Sequence, residues 1–199
     1  MGLFRSSLAL RYIPTRWRDV SVTFIPKPAR QDYTIPKSFR PISLSSFFIK
    51  TLERLCDRYI RDTSLTDRPL HPSQHAYTQG RSTDTALHCG AGYIEESLEA
   101  RLSTLGVFID IEGAFDRTTF RSIQAALTER GVLAVLRGWI SAMLMQRSTY
   151  LRAGDSTLRG RVVGGCPQGG ILSPLSWNLT LDSLLCLLNA LHSLYIRVC

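Results

Sequence analysis

Residues 105–109 (Leu-Gly-Val-Phe-Ile) form a short apolar run that leads straight into Asp110. Such a run, bounded by turn signals, reads as a buried strand. With the strands and helices read elsewhere in the chain, it points to an α+β layer structure. A carboxylate delivered at the end of an apolar strand is expensive unless something offsets its charge. A divalent cation does so, and hard oxygen ligands suit Mg²⁺. On an extended backbone Asp110 and Glu112 share one face. Asp116 reads as the N-cap of the next helix and Glu112 as a solvated turn residue, leaving Asp110 as the candidate ligand.

The rest of the chain alternates strands and helices. Residues 21–25 (Ser-Val-Thr-Phe-Ile) predict a strand stopped by Pro26-Lys27-Pro28, and residues 40–44 a second one, together an exposed hairpin. Ser45 or Ser46 caps a helix reaching Asp62, with Phe48, Leu52, Leu55 and Tyr59 as its core stripe and Asp57–Arg61 and Arg58–Asp62 pairs outside. Ser82 or Thr83 opens another, with Leu87, Ala91, Ile94 and Leu98 facing inward. Helices over 118–130, closed by Gly131, and over 132–146 precede a hairpin turning at Gly154-Asp155. The glycine-rich loop 164–170 then leads to a long apolar helix with Ser173 as N-cap and Pro174 at its first position. The fold class is α+β.

The chain of 199 residues suits one domain or one large piece of a bigger one. Its formal charge of +8 is carried by 21 Arg and three Lys and is unevenly placed. Residues 1–50 hold nine basic and two acidic side chains, net +7, residues 51–100 net −3, and the remainder net +4. A basic end suits a polyanion such as nucleic acid. Five scattered cysteines (56, 89, 166, 186, 199) without CxxC spacing read as reduced thiols of an intracellular, nuclear or cytoplasmic protein. No apolar run is long enough for a membrane span.

Four strings occur in order. They are Phe24-Ile25-Pro26-Lys27-Pro28 through Ser38-Phe39-Arg40-Pro41-Ile42-Ser43-Leu44; Gln74-His75-Ala76-Tyr77 with Gly80-Arg81-Ser82-Thr83; the Asp110 to Asp116 stretch; and Gly165-Cys166-Pro167-Gln168-Gly169-Gly170-Ile171-Leu172-Ser173-Pro174. Together they resemble the reverse transcriptases of non-LTR retrotransposons, most of all the jockey-like elements. The resemblance implies right-hand polymerase fingers plus a partial palm, with an incomplete antiparallel palm sheet packed on helices. Residues 1–104 are then mostly fingers and 105–199 mostly palm.

By this resemblance Asp110 is the catalytic palm aspartate that ligates two Mg²⁺ ions, and the Ile111 carbonyl assists at one ion. Phe115 lies under the incoming sugar, Arg40 with Lys50 holds the triphosphate, and Gln168 braces nucleotide and template. The implied reaction is two-metal, RNA-directed DNA synthesis, in which a primer 3′-hydroxyl attacks the α-phosphate of a dNTP on an RNA template and DNA primer. The family's Tyr/Phe-x-Asp-Asp string is expected after the long helix. Residues 194–199 resemble the approach to it, and no Asp or Glu follows Asp182. The expectation is a reverse transcriptase domain truncated before that motif and inactive alone, or a non-catalytic RNA- or DNA-binding remnant. Arg11 and Ala29 stand where the family pattern has glycines. A two-carboxylate hydrolase using Asp110 and Glu112 is the competing class, and it leaves the arginines and the glycine loop unexplained.

Overall fold

The computed structural model describes residues 2–190. In chain order the elements are α1 (Gly2–Leu10), α2 (Thr15–Arg18), β1 (Asp19–Pro26), β2 (Phe39–Leu44), α3 (Phe47–Asp62), α4 (Ser64–Asp67) and α5 (Thr83–Glu99). They continue with α6 (Ala114–Arg117), α7 (Phe120–Glu129), α8 (Ala134–Met145), β3 (Ser148–Ala153), β4 (Ser156–Arg161) and α9 (Leu172–Asn189). The mixture of helices and a single described sheet is the expected α+β class. Residues 194–199, read as the approach to a further hairpin, lie outside the described residues.

The sheet has four strands in the order β2-β1-β3-β4. β1 pairs antiparallel with β2, Ser21 opposite Leu44 through Pro26 opposite Phe39, as the two extended segments imply. Pro26 ends the ladder because proline has no N–H to donate. β3 and β4 form the hairpin turning at Gly154, and β3 joins β1 through a short parallel register, Asp19 opposite Ser148. One sheet therefore ties the two amino-terminal strands to the hairpin that leads into the glycine loop.

Several helix ends are local chemistry that is legible in sequence. The Ser46 hydroxyl accepts from the Ile49 N–H and starts α3. Ser82 and Thr85 form a reciprocal capping box at α5. Gly131, at φ +69°, closes α7 while the Val132 N–H returns to Leu127 O at 3.0 Å, a Schellman-type stop. Arg11 and Ala29, at the two positions expected to be glycine, do take left-handed backbone, with φ of 52° and 58°.

Under the sheet a core gathers Trp17, Leu52, Ile60, Ile123, Leu127, Trp139, Ile140, Leu175 and Leu179. Trp139 is wholly buried, and its indole N–H donates to Ser7 Oγ at 3.1 Å, docking α1 onto α8. For the helix expected over 132–146 the apolar period is Val132, Leu136, Trp139, Ile140 and Met143; Val132, Trp139, Ile140 and Met143 are buried and Leu136 is half-buried. On α3 the buried face is Ile49, Leu52, Glu53, Cys56 and Ile60, one position away from the expected stripe. Phe48, Leu55 and Tyr59 are exposed, although Phe48 stacks on Trp17 with centroids 5.2 Å apart. Helical rotation of about 100° per residue turns a one-residue misreading into a different face.

Two expectations fail. Residues 105–109 are not a strand: Leu105, Val107, Phe108 and Ile109 are irregular and exposed, Phe108 by 97%. Likewise α5 forms, but Leu87, Ile94 and Leu98 are exposed and only Ala86 is buried. Apolar patterning marks which residues need cover. It does not supply the covering element, and the Leu87, Ile94 and Leu98 side chains and the run 105–109 stay exposed.

Candidate functional site

The glycine loop 164–170 is anchored by backbone hydrogen bonds to two separate elements. Gly165 has φ +78° and a Cβ there would lie 2.7 Å from Asp116 O, so only glycine fits the approach of the loop to α6. The Gly165 N–H donates to Thr118 O at 2.9 Å and the Cys166 N–H to Phe115 O at 2.7 Å. Further on, the Ser43 N–H of β2 donates to Gln168 O at 2.6 Å. Gly169, at φ +104°, passes against the Ser43 carbonyl, where a Cβ would sit at 3.0 Å. The loop is thus laced between β2 and α6. The Gln168 Oε1 is buried and has no partner among the described residues.

Phe115, in the first turn of α6, is half-buried between Tyr77 and Trp177, with ring centroids 6.3 and 6.4 Å away. Tyr77 comes from the Gln-His-Ala-Tyr string, which buried side chains hold in place. Gln74 Nε2 donates to Asn178 Oδ1 at 3.2 Å, and Asn178 Nδ2 donates to Ala76 O at 2.8 Å. The three aromatic rings therefore converge from three segments far apart in sequence. Asp116 is inside α6 and does not cap the following helix; the α7 N-cap is Thr119, whose hydroxyl accepts from the Ser122 N–H at 3.0 Å.

Asp110 and Ile111 lie in a separate cleft of about 630 Å³, whose other wall is the loop after β1. Lys27, Arg30, Asp32 and Lys37 line it from that loop, and Asp110 and Glu112 from the other side. Glu112 is an exposed ion-pair partner of Lys37 (3.3 Å) and Arg117 (3.6 Å). The hydrogen bond from Lys37, then the Lys37 and Arg117 charges, hold its carboxyl below the usual carboxylate range. Arg40, exposed on β2 opposite Ile25, and Lys50, half-buried on α3, stand outside the lining of this cleft, as do Phe115 and Gln168. The structure thus brings Phe115 and Gln168 onto one loop framework and leaves Asp110 in a separate cleft lined by both basic and acidic side chains.

Among the described residues no three His, Cys, Asp or Glu side chains converge on a metal position. Asp110 offers one carboxylate and Glu112 is engaged by cations, so this donor set does not fit a hard octahedral ion. Cys56 and Cys166 are free thiols, as the spacing implies, and burial pushes them up to about 12 and about 11. Buried and protonated, they are inert.

Sequence reasoning missed Glu53 and Arg147. Glu53 is 1% exposed, and the Ile171 N–H donates to its Oε2 at 3.3 Å. It caps α9 in place of the expected Ser173, whose hydroxyl instead donates to Pro167 O at 2.7 Å. Pro174 accordingly falls at the third helical position, still within the first turn where its missing N–H costs nothing. A signal for Glu53 existed: it occupies the i+4 position of the Ile49 stripe, where a charge needs a buried partner. Arg147 Nη2 donates to Gly165 O at 2.6 Å and to Gly164 O at 3.3 Å.

The four-stranded mixed sheet over helices is a fold that this chain shares with a solved telomerase structure. The solved structure of apo telomerase from Candida tropicalis, truncated from the C-terminal domain, has that fold. It matches with a TM-score of 0.53 at 12% identity over 88% of this chain and 40% of its own. The chain belongs to the reverse transcriptase (RNA-dependent DNA polymerase) family, whose sequence profile matches residues 25–197. Its kinship is with the enzymes of non-LTR retrotransposons. It is 29% identical to the probable RNA-directed DNA polymerase from transposon BS of Drosophila melanogaster, over 96% of this chain and 21% of that protein. It is 31% identical to the Pol polyprotein of the type-1 retrotransposable element R1 of Bradysia coprophila, over 94% and 18%. To the polymerase of mobile element jockey of D. melanogaster it is 24% identical, over 89% and 19%. The chain spans about a fifth of the length of these relatives. Enzymes of this family work with divalent metal ions and bind nucleic acid. Among the described residues no helix is long and apolar enough to cross a membrane.

Proposed function

We propose that the chain is the fingers, residues 1–104, and the first part of the palm, residues 105–199, of an RNA-directed DNA polymerase. It takes an RNA template, a DNA primer and a dNTP. The observation that supports this reading is the loop 164–170, held to β2 and α6 by backbone bonds while the buried Gln168 Oε1 has no partner among the described residues. That acceptor is available to a donor on a base or sugar. Phe115, packed between Tyr77 and Trp177, offers a rigid ring edge for the sugar of an incoming nucleotide. Arg40 and Lys50 are the proposed triphosphate contacts, Arg40 exposed and able to fork onto two oxygens.

Asp110, with the Ile111 carbonyl, is the proposed catalytic ligand, and Mg²⁺ the proposed metal. Its site needs carboxylates converging on one position, which the described residues do not supply. Residues 1–199 by themselves are therefore proposed to bind primer–template without extending it. The same lack favours the second reading, a non-catalytic RNA- or DNA-binding remnant.

The test is binding of a labelled RNA–DNA primer–template across a salt series, with primer extension read in parallel. Binding that weakens steeply with salt supports the reading, since displaced counterions set the slope. Binding that is absent or independent of salt refutes it. Robust extension by the 199-residue chain refutes the inactivity.

A further inference from the structure

Two buried charges grip the loop 164–170 from opposite ends. At its exit Glu53 accepts from Ile171 N–H, and the Leu172 N–H also reaches it, at the amino end of α9. At its entry Arg147 donates to the Gly164 and Gly165 carbonyls. Gly170 makes room for the first grip, since a Cβ there would lie 3.2 Å from Glu53 Oε1 and 2.7 Å from Ser173 Oγ. Glu53 and Arg147 line a common cavity of about 20 Å³, together with Ser45 and Pro167. Arg147 Nε and Nη1 and Ser45 Oγ, all buried, point no hydrogen bond at another described residue. The cavity holds room for one water-sized bridge between the two charges.

A helix terminus is ordinarily capped by a residue adjacent in sequence. Here the cap comes from α3, and the residue it replaces, Ser173, is turned back onto the loop. Likewise Arg147 spends a buried guanidinium on two carbonyls of irregular backbone, where burial lowers its proton affinity. Burying two charged groups to hold a loop is costly unless the geometry of that loop matters.

We propose that Glu53 and Arg147 are positioning residues for the loop 164–170, setting where Gln168 sits against β2. This rests on the reading of that loop as the nucleotide-facing one. The arrangement works as a two-point clamp. Glu53 fixes the step from Gly170 into α9, Arg147 fixes the step from β4 into Gly165, and the span between them has little freedom left.

The test is amide hydrogen exchange on the full chain. In Glu53→Leu the Gly170 and Ile171 amides should exchange about tenfold faster or more, and in Arg147→Lys the Gly165 and Cys166 amides likewise. In both, the α7 amides of Ile123, Ala126 and Leu127 should keep their wild-type rates, and Glu53→Gln should restore slow exchange at Ile171. Equal acceleration in α7 and the loop, or no acceleration in a folded variant, overturns the proposal. Should Glu53→Leu not fold, Arg147→Lys decides on the Gly165 and Cys166 amides. Binding of a dNTP to the primer–template complex is measured on the same variants. A loosened loop with unchanged nucleotide binding leaves the clamp standing and refutes the nucleotide-facing role of Gln168.

Discussion

Gly165→Ala is the sharpest single probe of the loop. Its φ of +78° lies in the left-handed region, where an L side chain costs about 1–2 kcal/mol. The new Cβ would meet Asp116 O at 2.7 Å, a backbone atom that cannot rotate away. Relief requires the loop to withdraw from α6. That lengthens the bonds Gly165 N–H to Thr118 O (2.9 Å) and Cys166 N–H to Phe115 O (2.7 Å). Each is worth about 1 kcal/mol, which brings the total to about 3–4 kcal/mol. With a urea slope of about 2 kcal/mol/M, the unfolding midpoint should fall by about 1.5–2 M. Two controls isolate the causes. Gly131→Ala shares the positive φ, at +69°, but its Cβ meets nothing within 4 Å, so it should lose only about 1 kcal/mol. Gly164→Ala has neither constraint and should stay within about 0.5 kcal/mol of wild type or gain slightly. If Gly165→Ala costs no more than Gly131→Ala, the close approach of loop and α6 is not what holds the site.

Burial pushes the Glu53 carboxyl up from 4.5 to about 7, against the lowering effect of the Ile171 and Leu172 N–H groups and the Lys50 and Arg147 charges. The folded chain then holds this proton more tightly than the unfolded one, so the contribution of Glu53 is largest below pH 4.5 and falls as pH rises through about 7. The difference amounts to about 3 kcal/mol, and urea melts of wild type should lose stability relative to Glu53→Gln over this window; parallel curves would refute the shift. Asp182 is buried, pairs with Arg130 and accepts from the His71 N–H at 2.6 Å, while Arg130 Nη1 also donates to Pro69 O at 2.6 Å. Asp182→Ala should cost about 3–5 kcal/mol because it strands a buried guanidinium, and adding Arg130→Met should recover part of the loss; a single-variant cost below about 1 kcal/mol would refute the assignment.

Local chemistry carried most of the element boundaries. Ser46, Ser82 and Gly131 act on N–H or C=O groups within a few residues, so their roles follow from neighbours in the chain, whereas the cap of α7, expected at Asp116, is Thr119. Pro26 ends its strand for the same kind of reason, and the left-handed backbone at Arg11 and Ala29 follows the glycine pattern of the family. The amphipathic period of α8 pointed to the face that is buried. Motif order was enough to place the chain among the reverse transcriptases, since it depends on residue types and intervals alone.

What the tertiary structure decided is what fills each face. The run 105–109 is as apolar as any buried strand, yet strand pairing needs a partner edge at the right place, which no local pattern specifies. The Leu87, Ile94 and Leu98 stripe is exposed for the same reason. The capping of α9 by Glu53 joins residues 118 apart in sequence, so no window of sequence shows it. The same holds for Arg147 on the loop carbonyls and for Phe115 between Tyr77 and Trp177. Sequence determined which segments bend, start and stop, and to which family they belong. Only packing in three dimensions decided which buried charges hold the glycine loop and that Asp110 shares a cleft with Lys27, Arg30 and Lys37 as well as with Asp32 and Glu112.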